Sequence, residues 1–315
     1  MLKKMAEEIY KGAHEFELSN RDKIYYPKSE YTKGEIIDYY EKNSEVMLPH
    51  LKDRPVTMLR FPNGIEDKKF FQKDAPDYFP EWIETVEIPK QEGGTTNYVI
   101  CNNASTLVYL ANQACITPHI WLSKKDKPDY PDRMIFDLDP SRDDFSEVKT
   151  AAKRIRELLE EQLKLPVFLM TTGSRGLHMV VPLKPEENFD EVRDFAWEIA
   201  KYLEDKFPKD YTTATRKNKR ENKLFLDVAR NGLGQTTVAP YAVRPLQGAP
   251  IATPIDWDEL NSLDSAQKYN LKNIFKRLAR KEDPWSKIAK KATTLKSAKE
   301  TFSTMLKEKN KKAND

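Results

Sequence analysis

Two aspartates, Asp137 and Asp139, stand one residue apart at the end of an apolar run in the stretch RMIFDLDPS. Because side-chain direction reverses at every residue of a strand, a strand here would point both carboxylates to one face. Like charges this close repel each other unless a cation lies between them, and Mg²⁺ or Mn²⁺ prefers oxygen ligands. Three interpretations are open: a two-metal nucleotidyl-transfer site, an aspartyl-phosphate phosphatase, and a strand end with two solvated aspartates.

The segments that follow this pair alternate between helix and strand patterns. Apolar residues recur at helical spacing over 146–163 and 188–207, and Ser146 is the expected N-cap of the first of these helices. Strand-like composition occurs in three further segments, which are 166–172, 177–183 and 222–230. The order β-α-β-β-α-β predicts a split βαβ plan, an antiparallel sheet of four strands in the spatial order 4-1-3-2.

That sheet order would bring distant polar residues onto one surface. Strand 1 carries Asp137 and Asp139, and its two neighbours, strands 4 and 3, carry Asp227 and His178. Adjacent strands lie about 4.8 Å apart, so three carboxylates and an imidazole would converge. Asp227 lies in an apolar run, where a metal ion or a salt bridge to a residue such as Arg230 would offset the cost of burying its charge. Three carboxylates on one face can hold two metal ions.

The turn between strands 2 and 3 has the sequence TTGSRGLH. Gly173 and Gly176 allow backbone N–H groups to converge on an anion, Thr172 and Ser174 add hydroxyl donors, and Arg175 offers a guanidinium fork. The GxxxxGK[ST] order of a P-loop is absent, and a strand rather than a helix follows. A nucleotide triphosphate is the anion that such a turn beside carboxylates would bind.

The chain has 315 residues, 39% of them hydrophobic, and can bury one large core or two smaller ones. Neither a signal-peptide pattern nor an apolar run near about 18 residues is present, which favours the cytoplasm. Cys101 and Cys115 fit no metal or disulfide pattern and are expected to be structural thiols in a reducing compartment. Residues 271–315 contain 14 Lys/Arg against 5 Asp/Glu, a net charge of +9. Because the whole chain has a net charge of +3, residues 1–270 carry −6. The basic end would contact a phosphate backbone or form a solvated helix.

Four motifs in this order, IFDLDP, TTGSRGLH, FLDVARN and TTVAPYAVR, resemble the archaeo-eukaryotic primase superfamily. The similarity is closest to the polymerase domain of the ligase D type, found in bacterial non-homologous end joining and in stand-alone archaeal relatives, and it covers about residues 15–290. Thr172 and Arg175 stand where that family often has Ser and Lys, and both keep the donor or the charge.

The resemblance implies an α+β fold, in which a split βαβ (RRM-like) antiparallel catalytic sheet has an N-terminal α/β subdomain packed against it. The primase-polymerase domain would span 1–290, with a DNA-binding subdomain over about 1–130 and a catalytic subdomain over about 131–290. Residues 291–315 would form a basic C-terminal tail, whose folding the sequence leaves open.

The resemblance also implies an activity, that of a template-directed polymerase and primase-like nucleotidyltransferase. Such an enzyme fills gaps and extends ends in double-strand break repair by non-homologous end joining, with a preference for ribonucleotides and often for manganese. Asp137, Asp139 and Asp227 would bind two Mn²⁺ or Mg²⁺ ions. The implied nucleotide-binding residues are His119, Thr172, Ser174, Arg175, His178, Arg220, Arg230 and Arg244.

On the DNA side, the resemblance assigns a pocket for a 5′-phosphate to Asn20, Lys23 and Lys33. The template would lie on Arg60, Phe70 and Phe71, and a flexible loop at residues 92–95 would contact the DNA end. The implied partners are DNA ends, gapped DNA with a 5′-phosphate, NTP or dNTP substrates, a separate DNA ligase and a Ku-type protein, in a cytoplasmic, nucleoid-associated location.

Two alternatives to a polymerase are kept. A haloacid dehalogenase-type phosphatase also begins with a strand and DxD, but it expects Thr or Val two residues after the second aspartate and a doubly wound parallel sheet, whereas Pro140 and Ser141 follow here. A non-catalytic module that bridges DNA ends would need only the N-terminal pocket and the basic tail.

Overall fold

A computed structural model describes residues 8–90 and 92–314 of the chain. The chain forms two compact units. The first contains the residues up to Trp121 together with Thr236–Thr253 and Tyr269–Lys281, and the second contains Leu122–Gln235, Pro254–Lys268 and the residues from Glu282 onward. Within the described residues, no helix is both long enough and apolar enough to cross a membrane.

The N-terminal part of the first unit contains short strands and three helices. The first helix begins with a capping box, in which Thr32 accepts from the N–H of Glu35 and the Glu35 side chain accepts from the N–H of Thr32. In chain order the elements are β1 (Glu8–Lys11), β2 (Glu15–Leu18), β3 (Ile24–Tyr26), β4 (Tyr31–Thr32), α1 (Lys33–Lys42), α2 (Ser44–Leu51), β5 (Pro55–Arg60), β6 (Phe70–Gln72), β7 (Thr85–Pro89), β8 (Thr95–Ile100), α3 (Ala104–Asn112) and β9 (Cys115–Trp121).

The second unit follows the predicted alternation of strands and helices. Its elements are β10 (Arg133–Asp139), α4 (Phe145–Arg156), which continues as a π-helical segment (Glu157–Gln162), β11 (Phe168–Thr171), β12 (Leu177–Pro182), α5 (Phe189–Lys206), β13 (Tyr211–Thr212) and β14 (Leu224–Asp227). The N-cap of α4 is Asp144, whose side chain accepts from the N–H of Ser146. The prediction that Ser146 is the cap is wrong, because the helix begins at Phe145, two residues before the start that a cap at Ser146 would give.

The remaining elements come from the C-terminal third of the chain: β15 (Thr236–Val238), β16 (Thr253–Ile255), α6 (Ile274–Leu278) and α7 (Lys296–Asn314). In the first unit β15 pairs with β9, and the backbone N–H of Ile251 donates to the carbonyl of Tyr269. Through these pairings, two segments from the C-terminal half belong to the first unit. The boundary between the units is therefore not a single point near residue 130. The basic end is folded in part, since Phe302 of α7 is buried against Phe195 of α5.

The largest sheet of the first unit has the order β15-β9-β5-β8-β7, and β6 pairs with the outer part of β5. Cys101 and Cys115 of this unit are buried free thiols, and burial raises the pKa of both, that of Cys115 to about 12. This agrees with the prediction that they are structural residues.

The sheet of the second unit has the order β13-β14-β10-β12-β11-β16. Its four central members are strands 4, 1, 3 and 2 of the predicted plan, and each pair that adjoins β10 is antiparallel. Helices α4 and α5 pack on it through apolar stripes that include Val148 and Ile155 on α4 and Val192, Phe195 and Ile199 on α5. The predicted α+β fold is confirmed, and the doubly wound parallel sheet of the phosphatase alternative is excluded.

Candidate active site and nucleic-acid interface

The register of the second sheet brings two of the three predicted carboxylates together. Asp137 of β10 lies directly opposite Asp227 on β14 and directly opposite His178 on β12. Residues opposite each other in an antiparallel pair point to the same face, about 4.5–5.5 Å apart. The His178 Nε2 atom is 3.5 Å from Asp137 Oδ2, and Arg230 Nε is 3.9 Å from the same oxygen. The predicted convergence of Asp227 and His178 on Asp137 is therefore present.

Asp139 lies at the end of the same strand, between two guanidinium groups. Arg175 donates from Nη2 to Asp139 Oδ1 at 2.7 Å, and Arg220 donates from Nη1 to Asp139 Oδ2 at 3.0 Å. Arg220 is buried over the ring of Phe225, with 3.9 Å from Cζ to the ring centroid, so it is fixed. The Arg175 side chain is 46% exposed and can turn towards an anion without disturbing the core. Positive charge is thus concentrated around the second aspartate of the DxD motif.

Asp227 is a partly buried carboxylate at the end of β14. Its pKa is raised by burial and by the charge of Asp137, while the N–H of Ala229, which donates to Oδ1 at 2.9 Å, and the charges of Arg230 and Arg220 oppose that shift. Two facing carboxylates in a half-buried place are an oxygen donor set that a divalent cation would stabilise. Asp137 and Asp227 therefore offer a ligand set that fits a divalent cation, whereas the carboxylate of Asp139 is paired with Arg175 and Arg220.

A second acidic group also offers oxygen ligands. One ligand atom from each of Asp256, Asp258 and Glu259 lies within 4.8 Å of the other two. The N–H of Asp256 donates to Glu259 Oε2, so this proximity arises from a local turn. The aspartates of β10 and β14 come instead from paired strands that are distant in sequence, beside the turn TTGSRGLH.

The turn TTGSRGLH lies directly against the end of β10. Its backbone is closed by Thr172, whose N–H and hydroxyl both donate to the carbonyl of Gly176 at 3.0 Å, and whose Oγ1 accepts from the N–H of Ser174 and of Gly176. A Cβ added at Gly176 would stand 1.9 Å from the carbonyl oxygen of Leu138. Only glycine allows the turn to approach the strand between the two aspartates so closely.

Two residues that the sequence did not single out hold this arrangement in place. Asn231 is fully buried; its Oδ1 accepts from the N–H of Ile135, and its Nδ2 donates to the carbonyls of Ile135 and Val228. The only sequence signal was its place at the end of the FLDVARN motif. Gln267 donates from Nε2 to the carbonyl of Ser174 at 3.0 Å, and nothing in its local sequence indicated that contact.

In the first unit, the three residues of the predicted 5′-phosphate pocket form one cluster around the start of α1. The N–H of Lys23 donates to the carbonyl of Asn20, and the N–H of Lys33 donates to the carbonyl of Lys23. Lys23 Nζ donates to the side chain of Asn63, and Lys33 Nζ donates to the carbonyl of Ser19 at 2.5 Å. Neither Ser19 nor Asn63 was identified from the sequence.

Lys33 is the unusual member of this cluster, because its side chain is buried. Burial, together with the nearby charges of Lys23 and Arg60, lowers its pKa from 10.5 to about 8. Two ammonium groups and a guanidinium held close together are the arrangement that an added anion stabilises.

The predicted template residues lie on β5 and β6 of the same unit. Phe70 and Phe71 are 44% and 61% exposed, whereas Arg60 is half-buried beneath them. The ring of Phe71 contacts that of His119 edge-on, at 5.4 Å between centroids. His119 on β9 and Arg244, whose carbonyl accepts from Tyr26 Oη, belong to this first unit, whereas the other predicted nucleotide contacts belong to the second.

The predicted DNA-contacting loop is a tight turn between β7 and β8. Residues 92–95 are exposed, and Gly93 and Gly94 have positive φ angles of 92° and 76°. The N–H of Lys90 donates to the carbonyl of Gly94, which closes the turn. Within the described residues this turn has the exposure that a contact with a nucleic acid would need.

A split βαβ sheet with facing carboxylates on its central strands and a glycine-containing turn at their end is typical of a class, that of nucleotidyl-transfer folds. Residues 32–285 match the family model described as LigD, primase-polymerase domain. The chain belongs to this family.

Several known proteins are similar to it. The multifunctional non-homologous end joining protein LigD of Mycolicibacterium smegmatis is 36% identical over 77% of this chain and 32% of its own length. The bifunctional LigD of Bacillus subtilis is 31% identical over 85% of this chain and 43% of its own. The chain thus spans a third to under half of the length of these curated relatives.

A solved structure extends the similarity to three dimensions. The polymerase domain of Mycobacterium tuberculosis ligase D, in complex with DNA, superposes with a TM-score of 0.81 at 32% sequence identity, covering 87% of this chain and 98% of that one. Within the family, the chain is therefore similar over nearly its whole length to the polymerase domain.

Proposed function

We propose that this chain is a template-directed nucleotidyltransferase that fills gaps and extends 3′ ends in DNA double-strand break repair by non-homologous end joining. The observation that carries the proposal is the register of the catalytic sheet, in which Asp137 faces both Asp227 and His178. The names of the relatives as non-homologous end joining proteins support the repair pathway.

In the proposed reaction a primer 3′-hydroxyl attacks the α-phosphorus of an incoming nucleotide, and pyrophosphate leaves. Two divalent cations, Mn²⁺ or Mg²⁺, held by Asp137, Asp139 and Asp227, would lower the pKa of the attacking hydroxyl and neutralise the leaving pyrophosphate. Positioning by the chain's own residues and electrostatic stabilisation supply most of the catalysis.

The triphosphate is bound in this proposal by the turn and by the arginines around it. The hydroxyl of Ser174 and the backbone amides next to Gly176 donate to its oxygens. The hydroxyl of Thr172 does so after releasing the carbonyl of Gly176, and Arg175 moves from Asp139 to a phosphate. His178 donates a ring N–H to another oxygen. The further proposed nucleotide contacts are Arg220, Arg230, His119 and Arg244.

The DNA is held by the first unit in this proposal. A terminal 5′-phosphate binds beside Lys23, Lys33 and Asn20, because it carries more charge than an internal diester and ammonium groups can enclose it. Single-stranded template bases stack on the exposed rings of Phe70 and Phe71. Gapped DNA with a 5′-phosphate is therefore the preferred substrate.

The finer parts of the proposal come from the family resemblance. They are a preference for ribonucleotides, a preference for manganese, cooperation with a DNA ligase and a Ku-type end-binding protein, and a cytoplasmic, nucleoid-associated location. These preferences, partners and the location do not change which residues are proposed for the reaction.

The test is a primer-extension assay on a short 5′-phosphorylated gap, with ribo- and deoxynucleotides compared in Mg²⁺ and in Mn²⁺. We expect templated extension, strongest with ribonucleotides and Mn²⁺. Absence of extension in all four combinations, with tight binding to the gap retained, would contradict the enzyme and favour the end-bridging module.

A further inference from the structure

Three of the exposed large apolar side chains of the first unit lie within nine residues of one another. Phe70, Phe71 and Tyr78 are 44%, 61% and 60% exposed. The two phenylalanines were expected at a template surface, whereas Tyr78 follows the strand in the loop segment APDYF and carries no motif. An aromatic ring exposed to this degree has lost little of its surface to the protein core, and it is available to an outside partner.

Arg60 connects this tyrosine to the phenylalanines. Its Nη1 donates to Tyr78 Oη at 2.9 Å and to Gln72 Oε1 at 2.6 Å, and its Nε donates to the carbonyl of Gln113 at 2.7 Å. The same guanidinium lies 5.5 Å from the centroid of Phe70. Since these donors are engaged with protein oxygens, Arg60 is arranged to hold its aromatic neighbours.

Tyr78 is also supported from within the protein. Its ring packs edge-on against Phe79 at 5.4 Å, and Phe79 packs edge-on against the buried Tyr109 at 5.2 Å. The ring is thus fixed at its hydroxyl by Arg60 and at its side by Phe79, while most of its surface stays in solvent. Such pre-organisation lowers the entropic cost of binding a flat partner.

We propose that Tyr78 is a third base-stacking residue of the template surface, and that Arg60 is a positioning residue for it rather than a contact to the DNA backbone. The partner is single-stranded template DNA, because a base offers a flat face to an aromatic ring whatever its sequence. This inference rests on the proposed function, and it deepens it by adding one ring to the template surface and by giving Arg60, which the sequence placed at that surface, a positioning role.

The first experiment measures equilibrium binding of the full chain to a 5′-phosphorylated gap with several unpaired template bases. We expect Tyr78→Ala to weaken binding about tenfold, which corresponds to about 1.4 kcal/mol. Tyr78→Phe keeps the ring and loses only the hydrogen bond to Arg60, so it should weaken binding about twofold to threefold. Tyr130→Ala, which removes another exposed tyrosine (42% exposed) in the second unit, is the matched control and should leave binding unchanged.

The second experiment separates stacking from a structural role by placing one abasic residue at each template position in turn. In the unsubstituted chain, one position should lose affinity on abasic substitution, and that loss should vanish in Tyr78→Ala while the losses at other positions persist. Equal losses at every position in both proteins, or unchanged binding by Tyr78→Ala, would overturn the inference. Failure of the unsubstituted chain to bind the gap would instead overturn the proposed function.

Discussion

The two units position their charged groups in different ways. In the second unit, the charged groups are fixed by strand register: Asp137, Asp227 and His178 face one another because β14, β10 and β12 are neighbours. In the first unit, Lys23 and Lys33 are held by backbone carbonyls at a helix start, and Lys33 is buried. The first arrangement fixes positions to fractions of an ångström, as a reaction needs, and the second concentrates positive charge, as binding needs. The comparison predicts that chemistry and DNA binding can be lost separately.

The largest expected effect is on chemistry alone. Asp227→Ala removes a proposed metal ligand from the site in the second unit. It should lower the rate of primer extension by about 10³-fold. Binding to 5′-phosphorylated gapped DNA should change little, because the first unit keeps its lysines. Asp143→Ala, at an exposed position near the end of β10, is the control. Normal extension by Asp227→Ala would refute the metal assignment and the distinction between the units.

The second prediction concerns the approach of the turn to β10. Gly176→Ala places a Cβ where the carbonyl of Leu138 lies, so the turn must move. A displacement of about 1 Å at a reacting centre can cost about 10²-fold, and we expect a loss of that size in kcat/KM for extension. Gly232→Ala, where the Cβ meets the flexible Gln235 side chain at 3.3 Å and the Ala229 carbonyl oxygen at 3.4 Å, should behave as the unsubstituted chain. Thermal melting of both variants reports whether the fold survives; an unchanged kcat/KM would contradict the role of the turn.

The third prediction concerns DNA binding rather than chemistry. Lys33→Met keeps the length of a buried side chain and removes its charge, so it should weaken binding to gapped DNA about tenfold when a 5′-phosphate is present and little when it is absent. Lys28→Met, on the exposed part of the same region, is the control. Equal losses with and without the phosphate would show that Lys33 supports the fold rather than the pocket.

The smallest expected effect is a pH dependence of the same pocket. Because burial lowers the pKa of Lys33 to about 8, its ammonium loses a proton as the pH rises through 8, well before an ordinary lysine does. A terminal phosphate is already a dianion above about pH 7, so only the lysine changes. Preference for the 5′-phosphate should fall several-fold between pH 7 and pH 9, and Lys33→Met should lack this slope. A flat profile in the unsubstituted chain would show that Lys33 stays charged.

The sequence predicted the sheet of the second unit well, because the patterns that determine this sheet are local. The DxD spacing, the two amphipathic helices and the hairpin determine a split βαβ order, and that order determines which strands adjoin β10. The edge strands β13 and β16 were missed because they have two and three residues and no periodic pattern. The N-cap of α4 was misplaced for a similar reason, since Asp144 and Ser146 are both good caps.

Contacts between distant segments could not be predicted in the same way. Nothing near Asn231 indicates that its amide binds both backbone groups of Ile135, and nothing in the sequence distinguishes the buried Lys33 from its exposed lysine neighbours. These features depend on where a loop lies in three dimensions, and Lys33 in particular is buried because α1 begins there. The roles of Tyr78 and Arg60 belong to the same category.

The return of residues 236–253 and 269–281 to the first unit has a consequence during protein synthesis. When a ribosome has made only the first 121 residues, the strand β15 that covers one edge of β9 does not yet exist. The nascent unit therefore exposes an unpaired strand edge, which is a template for aggregation, until more than one hundred further residues have emerged. We expect a fragment that ends at Trp121 to aggregate, and co-expression of that fragment with the remainder of the chain to restore solubility.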